Sequence, residues 1–358
     1  MMSAGRLCAA DVTSGIKRLS YSTGRTLDLS GIFPPIATPF LEDESIAYDK
    51  LEENIKKWNK IPFKGYVVQG SNGEYPFLTP GERVDMVKRV KALIPKDKLL
   101  ISGSACECDY PSDNRDDERY GEVRCGCCIG PLPQLLQGQH DVPFQRFELM
   151  TEEPLPHDIA LNQCLNRIYF RVLQLSALTE YFTSVADGSK VPVILYNMPV
   201  NTGIDMTAPL ITSLASHPNI IGLKDSGGDI TKMATVVKNT KHLSFQVIAG
   251  STGFLLPALL VGCTGGINGL ANILGEEVCQ VYQLFQESRL KEAVQLHHNL
   301  VTPNSLVTRE LGVPAMKAAL DYVGLYGGPC RRPLQPLTSE EVHRVRDAFK
   351  AAGYGPRN

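Results

Sequence analysis

The run Asn219-Ile220-Ile221-Gly222-Leu223-Lys224-Asp225-Ser226 is apolar from Ile220 to Leu223 and then turns abruptly ionic. So short an apolar run, rich in isoleucine and closed by small polar residues, reads as a strand buried on both faces. Its lysine therefore ends a strand rather than lying on a helix surface. Runs of the same kind recur at Ile32–Thr38, Gly65–Gly70, Leu99–Gly103, Val191–Tyr196, Phe245–Gly250 and Gly262–Gly269. Most of them end in Gly, Ser, Asn or Pro, as strands emptying into functional loops do. Between them, Tyr48–Asn59, Pro80–Leu93, Ala208–Ser216 and Gly228–Asn239 carry helical spacing. Thr79-Pro80-Gly81-Glu82 supplies a cap, a first-turn proline and an early acid, which together start a helix firmly. Strand alternating with helix predicts an α/β fold with a parallel sheet, closed as a (β/α)8 barrel.

After Glu276 the strands cease. Helical patterns at Glu277–Gln286, Arg289–Leu300, Pro314–Val323 and Ser339–Ala352 predict a C-terminal helical extension. The expected organisation is a barrel over 29–275 and a helical region over 276–358. Seven strands are read where a closed barrel of this kind has eight. The fourth strand's place falls in 108–175, which includes Asn114-Arg115-Asp116-Asp117-Glu118-Arg119, the Cys125-Gly126-Cys127-Cys128 cluster and a Pro- and Gln-rich stretch. It lacks a sustained period until Arg167–Leu175, so the fourth strand is expected to be replaced or disordered.

With 358 residues, 43% of them hydrophobic and 21% charged, the chain can bury a large core. A formal net charge of −2 gives no footprint for nucleic acid, and no apolar stretch is long enough for a membrane helix. Half of the ten cysteines crowd into one short segment, Cys106 to Cys128. No second half-site accompanies them, so no metal is expected. The scattered remainder points to a reducing compartment. Residues 1–28 hold Arg6, Lys17, Arg18 and Arg25 against Asp11 and Asp28, with interspersed Ser and Thr. That balance fits a mitochondrial transit peptide, or a disordered basic tail.

Chemistry concentrates at the strand ends. Lys224 would sit at the barrel mouth, where a lysine partly withdrawn from water loses its proton more easily and can attack a carbonyl. Val67-Val68-Gln69-Gly70-Ser71-Asn72-Gly73-Glu74 opens a strand into donors suited to a carboxylate, although such a run also makes an ordinary turn. Val193-Ile194-Leu195-Tyr196-Asn197-Met198-Pro199 puts a phenol at the end of the preceding strand, within reach of the lysine. Ala249-Gly250-Ser251 leaves a small-residue ending beside it. Each run alone has a plain structural explanation, but together they converge on one rim.

These residues resemble the pyruvate-dependent aldolase family that includes dihydrodipicolinate synthase and N-acetylneuraminate lyase. Gly31-Ile32-Phe33-Pro34-Pro35-Ile36-Ala37-Thr38-Pro39-Phe40, the Gly-Ser-Asn-Gly-Glu run, Tyr196-Asn197-Met198-Pro199, Lys224-Asp225-Ser226-Gly227-Gly228-Asp229 and the tail Tyr326-Gly327-Gly328-Pro329-Cys330-Arg331 match in order. The resemblance covers 27–107 and 177–352 and is greatest to mitochondrial members that cleave 4-hydroxy-2-oxoglutarate. It implies that Lys224 forms a Schiff base, Tyr196 transfers a proton, Ser71 and Asn72 hold the 2-oxo acid carboxylate, and Ser226 and Gly250 line the pocket. It further implies cleavage to pyruvate and glyoxylate without metal or other cofactor, a homotetramer, and the mitochondrial matrix. Other 2-oxo acid lyases, of the sialic acid or dihydrodipicolinate type, are the alternatives.

Two departures stand out. Synthases of the family carry an arginine shortly after the tyrosine motif, where this chain has Val200-Asn201-Thr202-Gly203. The family's fourth strand ends in Thr-Pro-x-Tyr-Tyr, whereas 108–175 is longer and unlike it. Counting back from Ala177, Tyr169 falls on one of those tyrosines and is the candidate for the rest of the proton relay. The segment's composition suggests a mistaken exon boundary or splice variant, so an inactive product is the competing reading. A barrel lacking a strand would leave unpaired edges on both neighbours.

Overall fold

Branched and aromatic side chains pack well on a pleated surface, which favours strands in the Val- and Ile-rich runs. In the computed structural model, which describes residues 27–103, 176–189 and 191–356, seven runs are strands. They are β1 (Gly31–Phe33), β2 (Gly65–Val68), β3 (Leu99–Ser102), β4 (Val193–Asn197), β5 (Ile220–Asp225), β6 (Gln246–Ala249) and β7 (Gly265–Ile267). All pairings between them are parallel, in the order β1-β7-β6-β5-β4 with β2-β3 as a second piece. A bridge between Pro35 and Val67, with the Lys64 amide donating to the Ile32 carbonyl at 2.9 Å, joins the pieces. The wall therefore runs β3-β2-β1-β7-β6-β5-β4. In chain order, 104–175 lies between its two ends. Tyr169, the cysteine cluster, the anticipated fourth-strand replacement and nearly all of 1–28 lie outside the described residues.

Alternate residues of a strand face opposite sides, so each strand contributes one set of side chains to the interior. Leu29, Phe33, Val67, Ile101, Ile194, Ile248 and Ile267 form that inner cluster. On β5 the inward position is Gly222, paired with Ile194, and Leu29 comes within 3.5 Å of where a Cβ would stand. Two residues on, by the same alternation, Lys224 faces inward as well. Leu195, Leu223 and Val247 face the other way, into the larger core beneath the helices.

The helices Tyr48–Trp58, Pro80–Leu93, Ala208–Leu214 and Ile230–Thr240 lie close to their expected bounds. Thr79 and Glu82 close a reciprocal capping box on the second. Helix 176–188 and the short helix Leu255–Leu260 are not among the expected helices. Helices Gly275–Gln286, Leu290–Ser305, Gly312–Tyr322 and Ser339–Ala351 form the C-terminal region. The second of these passes the expected stop at Leu300, runs through Pro303 and widens into a π turn, Leu306–Glu310. Packing overrides the missing proline donor there, since Leu300, Pro303, Leu306 and Val307 are all buried. Among the described residues no helix is long and apolar enough to cross a membrane.

Candidate active site

Register places Tyr196 of β4 directly beside Lys224 of β5. Both side chains therefore lie on the inner side at the strands' C-terminal ends. The Lys224 Nζ stands 3.9 Å from the centroid of the Tyr196 ring, and the two residues are 9% and 8% exposed. The Tyr196 hydroxyl and Ser226 Oγ are 3.5 Å apart, and Ser226 Oγ lies at the same distance from the Gly250 carbonyl. Lys224, Tyr196, Ser226 and Gly250 thus form one continuous chain of contacts.

Gly250 is held close: its amide donates to the Asp225 carbonyl at 2.7 Å. A Cβ there would stand 2.0 Å from Ser226 Oγ and 2.7 Å from that carbonyl. Gly250→Ala should therefore displace the serine and part the ends of β5 and β6. Turnover is expected to fall by about 10²-fold, the cost of roughly an ångström of misplacement at a reacting centre. Steady-state kinetics beside a thermal melt would separate this loss from unfolding.

Beneath the mouth lies a network that sequence reasoning missed. The Asn197 amide donates to Asp225 Oδ2 at 2.9 Å and Asp205 Oδ1 at 2.8 Å, and its oxygen accepts from the Met206 amide at 2.9 Å. Asp225, fully buried, accepts from the Gly227 amide at 2.8 Å and lies 3.2 Å from Lys232 Nζ, which also pairs with Asp205. Burial alone would lower the Lys232 pKa, but the hydrogen bond to Asp205 and both carboxylate charges outweigh it and hold the ammonium above its ordinary value. The network anchors the Ser226–Gly228 loop to the wall. Its signal was available: Asn197 and Asp225 follow inward residues on adjacent buried strands, and a buried acid requires partners.

Ser71 and Asn72, both half-buried, lie on a 3₁₀ turn, Ser71–Gly73, just past β2. Thr38 Oγ1 donates to the Gly73 carbonyl at 2.7 Å, and Asn72 Nδ2 lies 3.2 Å from Met316 Sδ. Glu74, in the left-handed region at φ 55°, closes the turn. Its carboxylate is fully buried, 2.6 Å from Lys317 Nζ, and accepts from the Arg331 amide at 2.9 Å. Burial raises the Glu74 pKa above the ordinary range despite both cations. The turn shares the C-terminal face of the barrel with Lys224, since every strand runs parallel. Among the described residues no cluster of His, Cys, Asp and Glu could hold a metal ion.

A parallel barrel whose mouth presents a sheltered lysine beside a tyrosine defines the class. The dihydrodipicolinate synthetase family profile matches residues 167–352. A 4-hydroxy-tetrahydrodipicolinate synthase of Methanospirillum hungatei is 30% identical over 321 residues, covering 89% of this chain and 98% of that one. Its counterpart from Methanothrix thermoacetophila is 26% identical over 319 residues, covering 89% and 95%. Among solved structures, dihydrodipicolinate synthase DapA-2 from Bacillus anthracis superposes with a TM-score of 0.75 at 23% identity, covering 91% of this chain and 99% of that one. A dihydrodipicolinate synthase from Acinetobacter baumannii, solved with pyruvate, gives 0.73 at 20% identity, covering 90% and 99%. The chain belongs to the dihydrodipicolinate synthetase family, whose members are lyases of the class I aldolase kind.

Proposed function

We propose that this chain is a Schiff-base lyase that cleaves 4-hydroxy-2-oxoglutarate to pyruvate and glyoxylate. The contact of the Lys224 amine with Tyr196, and of Tyr196 with Ser226, carries the reading. In this scheme the amine adds to C2 of the 2-oxo acid and water leaves, giving an iminium. The C4 hydroxyl gives up its proton, the C3–C4 bond breaks, and its electrons flow into the iminium as an enamine while C4 leaves as the aldehyde of glyoxylate. Protonation at C3 and hydrolysis release pyruvate and restore the amine. Tyr196 moves the hydroxyl proton, and Ser71 and Asn72 hold the C1 carboxylate.

Borohydride reduction in the presence of pyruvate tests the scheme. A stable adduct is expected on Lys224, and labelling elsewhere or nowhere would sink it. Tyr196→Phe should lower kcat by about 10²–10⁴, the usual contribution of a positioned acid or base, while the Lys224 adduct still forms on long incubation. Equal losses in both assays would remove the tyrosine from proton transfer.

A second reading has support from the relatives' names: condensation of pyruvate with an aldehyde, through the same enamine. Against it, the stretch Val200-Asn201-Thr202-Gly203 holds no arginine, whereas the synthases that this chain resembles carry one shortly after the tyrosine motif. Rates of 4-hydroxy-2-oxoglutarate cleavage and of aldehyde condensation, measured side by side, distinguish the two.

A further inference from the structure

4-Hydroxy-2-oxoglutarate carries a carboxylate at each end, and only the first has been given a partner. The π turn Leu306–Glu310 bears on the rim at two points. Thr308 Cγ2 lies 3.1 Å from the place a Cβ of Gly269 would occupy, and Asn72 Nδ2 lies 2.7 Å from the same place. One residue further, Arg309 Nη2 lies 3.6 Å from the corresponding position of Gly228, with Phe254 at 3.4 Å. Gly228 has φ +82° and stands two residues beyond Ser226. A side chain at Gly228 would be both strained and wedged against the phenyl ring and the guanidinium. The turn therefore delivers a cation to the loop that follows the lysine strand.

Among the described residues, the nearby side-chain charges are already paired. Lys232 is paired with Asp205 and Asp225, Lys317 with Glu74, and the π turn's own Glu310 is paired with Arg344. Pro199–Thr202, the turn after Tyr196, contains no cation. Arg309 is exposed and has no carboxylate partner among the described residues. An arginine fork is the group best matched to a carboxylate, which it can bind through two parallel N–H donors. We infer that Arg309 receives the distal carboxylate of a dicarboxylic 2-oxo acid and so selects dicarboxylic over monocarboxylic substrates. This assignment rests on the Schiff-base reading above.

The test uses 2-oxoglutarate and 2-oxopentanoate, which differ in a terminal carboxylate against a methyl group. Each competes with pyruvate for borohydride trapping on the full chain, in the parent, Arg309→Met and Arg309→Lys. In the parent, 2-oxoglutarate should compete more strongly. In Arg309→Met its competition should weaken by on the order of 10- to 100-fold more than that of 2-oxopentanoate, the scale of a lost charge-assisted hydrogen bond, with Arg309→Lys between. Equal weakening of both acids, or no preference for the dicarboxylate in the parent, overturns the assignment of Arg309. Absence of any pyruvate adduct in the parent is a different result: it removes the Schiff base itself, and with it the basis of this inference.

Discussion

Lys224→Met should fold as the parent does and yet lose turnover by on the order of 10⁴ or more. Methionine follows the path of the lysine stem, and its sulfur packs well against an aromatic ring, so the place over Tyr196 stays filled. What disappears is the nitrogen proposed to enter the covalent intermediate, and among the described residues the nearby Lys232, on the other side of the wall, is tied to Asp205 and Asp225. Removal of a covalent nucleophile is felt in kcat at this scale or above. Pyruvate release in a coupled assay, with a melt close to the parent's, would meet the expectation. Appreciable turnover in the variant would take the amine out of the chemistry.

The second large effect concerns Lys317. Its side chain is 2% exposed, and Lys317→Met would leave the Glu74 carboxylate buried without its ion partner. Breaking a buried pair from one side costs about 3–5 kcal/mol, because one charge is left uncompensated. Urea unfolding should show that loss, and the double variant Glu74→Gln, Lys317→Met should recover much of it. The pH dependence has a definite sign. The folded-state pKa of Glu74 is raised by burial, so as pH rises the unfolded chain releases this proton first. The folded state then holds the extra proton, and this group's contribution to stability declines from the ordinary carboxylate pKa up to the raised one. Loss of Lys317 removes a charge that opposes the rise, which extends the decline to higher pH. The variant's deficit relative to the parent should therefore be smaller at pH 4 than at pH 7.

Local pattern exposed part of this molecule and hid the rest, for physical reasons. The run ending in Lys224 was readable because a barrel strand is apolar on both faces, which makes a terminal lysine conspicuous. Tyr196 followed from the same pattern one strand earlier. The Asn197–Asp225–Lys232 network was not read, because polar residues at strand ends also suit plain loops, and only the register shows that two of them meet. The pairing of Glu74 with Lys317 joins residues far apart in the chain, to which periodicity is blind. Arg309 was hidden by the π turn, since a helix expected to stop at Leu300 gives no reason to look beyond it. Tyr169 and the cysteine cluster belong to the segment outside the described residues.

Lys224 and Asp225 are consecutive, yet one faces the hollow and the other the surrounding helices. Deleting a single residue upstream in β5 would exchange them, turning the cavity acidic and hostile to an oxo acid while driving an ammonium toward the carboxylate-rich outer side. Insertions and deletions should thus be confined to the connecting loops, and this enzyme's scope for acquiring new substrates lies in what surrounds the mouth rather than in the staves.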